Sequence, residues 1–138
     1  MVTNPQGNAE TRRCTEWLAG LLRAGVSVKL PEIADYELRR ELLRANLQQG
    51  IRRLDHLKSA LGYVPLTTEA VLTAAEFWAR ARNMGRPTAD DKALDVDMIL
   101  SGQAALIRAA DTETIVATTN VGHLALFCEA RLWRDIWV

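Results

Sequence analysis

The sequence predicts an α/β fold with a largely parallel sheet, on three observations. Short β-branched or alternating segments at Val26–Leu30, Tyr63–Leu66 and Ile115–Thr118 are separated by stretches of helical periodicity. Breakers stand between them, at Gly25, Gly50 and Gly85-Arg86-Pro87. From Met98 the chain is apolar or small on every side except for Ser101, Gln103 and Arg108, the pattern of a helix buried between layers.

The elements follow in order. Met1 to Gly7 is turn-like. Ala9 to Ala24 has helical spacing, with Trp17, Leu18, Leu21 and Leu22 as its stripe, Asn8 as N-cap and Gly25 as C-terminal cap. Val26–Leu30 alternates like a strand, and Pro31 stands where a helix start tolerates a missing N–H. The next helix is expected to run to about Gln49 along Ala34, Leu38, Leu42 and Ala45. Gly50 then separates it from another helix, Ile51–Ala60. After a short strand at Tyr63–Leu66, Thr67-Thr68-Glu69 opens a helix that continues through Val71, Leu72, Ala75 and Trp78 to about Met84. The buried helix begins near Asp90 and leads to the Ile115–Thr118 strand. A short helix at Val121–Cys128 and a last strand at Leu132–Val138 complete the chain.

The 138 residues suffice for a single domain with a real core. Zero net charge argues against a strong overall field for nucleic acid and leaves room for a local basic patch. Cys14 and Cys128 belong to no CxxC or Cys/His cluster, which fits a reducing, cytoplasmic setting and not a structural zinc site. No apolar run is long enough to span a membrane.

Two carboxylates and one amide are candidates for chemistry. Glu37 lies about 100° from Leu38, at the edge of the apolar stripe, in the second turn after a strand. It is read either as a rim glutamate among Arg40, Glu41 and Arg44 or as a ligand at the carboxyl edge of the sheet. Asp97 is read either as one of a group with Asp90, Asp91 and Asp95 that does no more than cap a helix with negative charge, or as a functional carboxylate. Asp97 is also about two turns in, between Val96 and Met98, where an unpartnered carboxylate is costly and should face a cation or a cleft. Asp95 and Asp97 are about 200° apart on a helix, so only one of them faces any one site. Asn120 ends the Ile115–Thr118 strand, at the edge where open α/β sheets bind ligands. His56 reads as a surface residue and His123 lies near that edge. No serine or cysteine is placed for a nucleophilic triad, and there is no GxGxxG or HExxH. Arg39, Arg40, Arg44, Arg52, Arg53 and Lys58 form one basic group, with Arg80, Arg82 and Arg86 as a second. Each is read as a solvated helix face or as a place to hold a phosphate backbone.

Three stretches together resemble the PIN domain, and within it the toxin nucleases of bacterial toxin–antitoxin pairs (the VapC type). P-E-I-A-D-Y-E-L-R-R-E-L-L at 31–43 is similar to the family's strand-to-helix segment, whose acidic residue falls on Glu37. D-M-I-L-S-G-Q-A at 97–104 is similar to the family's D-x-x-I-A-A-x-A helix start, which falls on Asp97. T-I-V-A-T-T-N-V-G-H-L at 114–124 is similar to the strand that ends in T-x-N or T-x-D, which falls on Asn120.

The resemblance implies a three-layer α/β/α sandwich with a mostly parallel central sheet over one domain, residues 1–138. It implies cleavage of RNA with Mg²⁺ or Mn²⁺ held by Glu37 and Asp97, with Asn120 positioning a water or a ligand. Arg39, Arg40 and Arg44 are then the substrate-binding residues, and an antitoxin protein is the expected partner. The family opens with an apolar strand ending in aspartate, and this chain begins where that strand should have finished. The first strand and first aspartate are therefore expected to be absent. An inactive PIN-like protein-binding module is the alternative, suggested by that absence and by Trp17, Trp78, Trp133 and Trp137. Closing the sheet without its middle strand points to rearrangement within a homodimer.

Overall fold

The computed structural model of the chain describes residues 9–85, 91–110 and 113–137. They form a mixed α/β structure that divides into two compact units. The first runs through Val64 and takes in Ile136 and Trp137, and the second is Pro65–Asp135.

In the first unit, α1 (Ala9–Arg23) ends where Gly25 turns to φ +80°. The N–H of Gly25 bonds to Leu22 O and that of Val26 to Leu21 O, the paired closure of a left-handed helix cap. Strand β1 is Lys29–Pro31, three residues at the end of the stretch expected to be extended. Pro31 caps α2 (Glu32–Arg44) through its extended backbone. The helix expected to reach Gln49 stops at Arg44 because Asn46 takes φ +55°. Its N–H bonds to Leu43 O, and that of Leu47 to Leu42 O, the same closure that Gly25 provides for α1. Gly50, expected to be the breaker, lies inside α3 (Gln48–Ala60) and is buried against Leu42. Helices α2 and α3 are the crossover that lets β1 run parallel to β2 (Gly62–Val64), with Lys29 opposite Gly62 and Pro31 opposite Val64. Trp17 donates its Nε1–H to Ile136 O at 3.1 Å, tying the end of the chain to α1.

The second unit is built on two packed helices. Helix α4 (Thr68–Asn83) starts at Thr67, whose hydroxyl accepts the N–H of Ala70 at 3.1 Å. Its inner face is Ala70, Ala74, Phe77 and Ala81, the i, i+4, i+7, i+11 series that a helix puts on one side. That face meets α5 (Asp91–Ala110) at Leu94 and Met98. A Cβ on Gly102 of α5 would stand 2.6 Å from Ala70 O, so glycine is what allows this approach. Of the segment that reads as apolar on all sides, Met98 and residues 101–104 are buried, Ser101 and Gln103 included, its flanking positions are half-buried, and Arg108, Ala109 and Ala110 are exposed. Phe77 and Phe127 stack with centroids 4.5 Å apart and extend the core.

Beyond α5, strand β3 (Val116–Thr118) runs parallel to β4 (Ala130–Leu132), with Val116 opposite Ala130. The short helix expected at Val121–Cys128 is a 3-10 turn, Gly122–Leu126. The final strand lies at Ala130–Leu132; of the stretch expected to be a strand, Leu132–Val138, a 3-10 turn takes Trp133–Asp135, and Val138 lies outside the described residues. Among the described residues no helix is long and apolar enough to cross a membrane.

Candidate functional site

Asp97 sits in α5 between the buried residues Leu94, Met98 and Ser101, yet keeps 28% of its side-chain surface open. Asp95 is exposed, as their roughly 200° separation requires. The chain after β3 returns to Asp97, and Nδ1 of His123 on the 3-10 turn lies 3.6 Å from its Oδ2. That spacing is an ion pair when the imidazole is protonated. His123 is the residue that sequence reasoning left without a role, although its position three residues after Asn120 was the available signal.

One turn further along α5, Ser101 is completely buried, and its Oγ is 3.8 Å from Cys128 Sγ. The thiol also donates to Leu124 O at 3.2 Å. Burial raises the pKa of Cys128 and the negative charge of Asp97 raises it further, against a lowering contribution from Ser101. A thiol held protonated in this way is not a poised nucleophile.

Asn120 is exposed just past β3. Its N–H donates to Thr118 Oγ1 and its carbonyl accepts from the same hydroxyl, both at 3.1 Å, which pins the loop. Gly122 follows at φ +33°, and a Cβ there would lie 3.3 Å from Asn120 Oδ1. The amide therefore rests against a position that only glycine fills without strain.

Glu37 belongs to the first unit, and Asp97 and Asn120 belong to the second. Glu37 is exposed on α2 and makes no hydrogen bond or ion pair among the described residues. The arginines expected around it are engaged elsewhere. Arg44 Nε pairs with Glu41 Oε2 at 2.9 Å, and the Arg40 guanidinium stands 5.2 Å from the centroid of the Tyr36 ring. Arg39 lies between two carboxylates, 3.0 Å from Asp35 Oδ1 and 2.8 Å from Asp55 Oδ1. Burial works against its charge, and the bonds to Asp55 and Asp35 overcome that, so its pKa lies above the ordinary guanidinium value.

Asp35 is the polar residue that sequence reasoning missed. It is buried, and it also accepts from the Tyr63 hydroxyl at 3.4 Å. Its signal was present: Asp35 is seven residues before the buried Leu42, on the same helix face, with Arg39 four residues on.

A cavity in the first unit, about 300 Å³, is lined by Thr15, Leu18, Arg52, Arg53, His56 and Leu57; of these, Arg52 and Arg53 belong to the basic group expected from the sequence, and Glu37, Asp97 and Asn120 are not part of the lining. Among the described residues no group of three or more His, Cys, Asp or Glu side chains is arranged to hold a metal ion. Magnesium takes one or two protein carboxylates and keeps its waters, so the half-open Asp97 and the exposed Glu37 are the donors that suit it by type. Compared with protein-family models, with curated proteins and with solved structures, the chain gives no match.

Proposed function

We propose that this chain is a metal-dependent ribonuclease of the PIN type, acting on RNA in the cytoplasm through Mg²⁺ or Mn²⁺. The observation that carries the reading is Asp97, a carboxylate kept partly open within an otherwise apolar helix segment and faced by His123. The three stretches that resemble the PIN family support it, as do strand pairs that are parallel in both units. On this reading the chain is one PIN-like domain with a three-layer α/β/α arrangement, it self-associates as a homodimer, and an antitoxin protein restrains it.

Asp97 would hold the cation by a carboxylate oxygen, and Glu37, which belongs to the other unit, is a ligand on the strength of the resemblance alone. When bound, the cation supplies activation of a water and neutralisation of the charge that develops on the phosphate. The Asn120 amide orients a water or a phosphate oxygen without adding charge. Arg40 and Arg44, both exposed, offer donors to the phosphate backbone, whereas Arg39 is committed to Asp35 and Asp55.

The test is cleavage of single-stranded RNA with Mg²⁺, with Mn²⁺ and with a chelator, for the wild type, Asp97→Asn and Glu37→Gln. Metal-dependent cleavage that both substitutions abolish is the expected result. Equal cleavage by the wild type and Asp97→Asn, or no cleavage with either metal, refutes it.

The second reading, a PIN-like module that binds protein without turnover, has a specific observation behind it. Of the four tryptophans, Trp133 is buried and Trp17 is bonded to the chain end, but Trp137 is 84% exposed and Trp78 also reaches solvent. An inert chain that still binds a co-expressed antitoxin favours this reading.

A further inference from the structure

The cavity of the first unit takes its walls from α1 and α3. Thr15 and Leu18 stand about one turn apart on α1. Arg52, Arg53, His56 and Leu57 fall within an arc of about 140° on α3. Leu18 and Leu57 are half-buried, whereas Thr15, both arginines and His56 are exposed. The cavity therefore has an apolar floor and a cationic rim open to solvent. At about 300 Å³ it has the volume of a site for one small ligand.

The charge of the rim is of one sign. None of the six lining residues is acidic. Asp55, the carboxylate of α3, is turned to Arg39 of α2, 2.8 Å away. Among the described residues, Arg52 and His56 make no hydrogen bond, ion pair or ring contact, so their donors are free for a ligand. They are four residues apart, the spacing that brings two side chains together on a helix surface. A guanidinium fork takes a phosphate by two parallel hydrogen bonds, and an imidazole N–H adds a third. Arg53 and Leu57 form the neighbouring pair of the same spacing, nearer on the helix wheel to the buried Leu54. Planar guanidinium and imidazole groups are the faces on which splayed-out bases stack. An alkyl chain would find only two leucines to cover it. A flat heterocycle that carries a phosphate matches both the floor and the rim.

We propose that this cavity binds a nucleoside 5′-monophosphate group, free or at the end of an RNA strand. The base lies against Leu18 and Leu57, and the phosphate is held by Arg52 and His56. The cavity belongs to the first unit and Asp97 to the second, so binding here needs neither metal nor cleavage and stands whether or not the nuclease reading does.

Amide NMR titration of the isotope-labelled full chain, with a chelator present, tests this, with circular dichroism to confirm that each variant is folded. Adenosine 5′-monophosphate should bind in the submillimolar range and shift Thr15, Leu18 and residues 52–57. Adenosine, inorganic phosphate and octanoate should each bind at least about tenfold more weakly. Arg52→Ala should weaken nucleotide binding by about tenfold or more and His56→Ala by about threefold or more, the scales of a charged and a neutral hydrogen bond. Asp97→Asn should leave it unchanged. Two oligoadenylates separate the sources. Shifts at this cavity from the 5′-phosphorylated strand and not from the 5′-hydroxyl strand assign it to an RNA end, and shifts from neither assign it to the free nucleotide. Equal shifts from both overturn the 5′-phosphate assignment. The proposal as a whole is overturned if adenosine 5′-monophosphate does not bind, if Arg52→Ala binds it as well as the wild type, or if phosphate or octanoate binds as tightly.

Discussion

Arg39 reaches back one helical turn to hold the buried Asp35 at 3.0 Å and forward to Asp55 on α3 at 2.8 Å. One guanidinium thus joins α2 to α3, and through the Tyr63 hydroxyl on Asp35 the same network reaches β2. In a unit whose sheet has two strands of three residues, this network adds a directional tie to a small core.

The three members of the network should differ in what their loss costs. Arg39→Ala leaves Asp35 buried with only a long Tyr63 bond for its charge. Breaking a fully buried pair costs about 3–5 kcal/mol, and the 27% exposure of Arg39 reduces this to about 1–2 kcal/mol. Asp35→Ala should cost less, because Arg39 keeps Asp55. Asp55→Ala, at a largely exposed carboxylate, should stay under about 1 kcal/mol. Urea denaturation of the three variants checks this ordering.

Tyr63 should make stability fall at alkaline pH. Burial raises its pKa above the ordinary 10.0, and the carboxylates of Glu32 and Asp35 raise it further. Because the folded value is the higher one, the contribution is fully present below the unfolded pKa. It is lost as pH rises through the folded pKa. Urea midpoints measured from neutral pH to beyond that range should decline, and Tyr63→Phe should decline less. Asp35→Asn should bring Tyr63 ionisation, followed by ultraviolet absorbance, back toward its ordinary value.

Two glycines inside helices should respond oppositely to alanine. At Gly102 the new methyl would meet Ala70 O at 2.6 Å and Ala74 N at 3.2 Å, backbone atoms that cannot swing aside. Separating α4 from α5 there should cost about 1–3 kcal/mol, read from thermal or urea unfolding. At Gly50 the nearest atom is Leu42 Cδ2 at 2.7 Å, the movable end of a side chain. The helix propensity gained from alanine, about 1 kcal/mol, offsets that repacking and leaves Gly50→Ala near neutral.

These two glycines also show what the sequence could reveal. Gly50 was expected to break a helix because glycine is the commonest breaker, yet the break is made by Asn46, which reaches the left-handed region through its short polar side chain. Gly25 and Thr67 act where the sequence placed them, since each works on its own adjacent backbone. The burial of the middle of α5, Met98 and residues 101–104, was legible from its apolar and small residues. The burial of Asp35 was not, because it depends on Arg39 and on Tyr63, which is 28 residues away. His123 was likewise an edge residue until the turn after β3 brought it to Asp97. Local backbone signals are read directly, whereas pairings across elements emerge only when the chain folds.

Asp95 and Asp97 provide an internal control for the proposed chemistry. Both are aspartates of α5 two residues apart, so their charge and helix-dipole effects are nearly equal, but only Asp97 is half-buried and faces His123. Asp95→Asn should leave Mn²⁺ binding and RNA cleavage close to wild type. Asp97→Asn should lower cleavage by about 100-fold or more, the scale of losing a positioned electrostatic contact in an active site. A second readout separates geometry from activity. The Asp97 charge is one of the causes that raise the Cys128 pKa, so Asp97→Asn should lower that pKa and speed alkylation of Cys128 at mildly alkaline pH. The labelling is best followed in a Cys14→Ser background, because the chain has two cysteines. Faster labelling with unchanged cleavage would leave the carboxylate in its observed place and remove it from catalysis. Unchanged labelling would mean that the Asp97 charge does not reach the Cys128 thiol, leaving the cleavage comparison of Asp95→Asn with Asp97→Asn to decide whether Asp97 acts on the substrate.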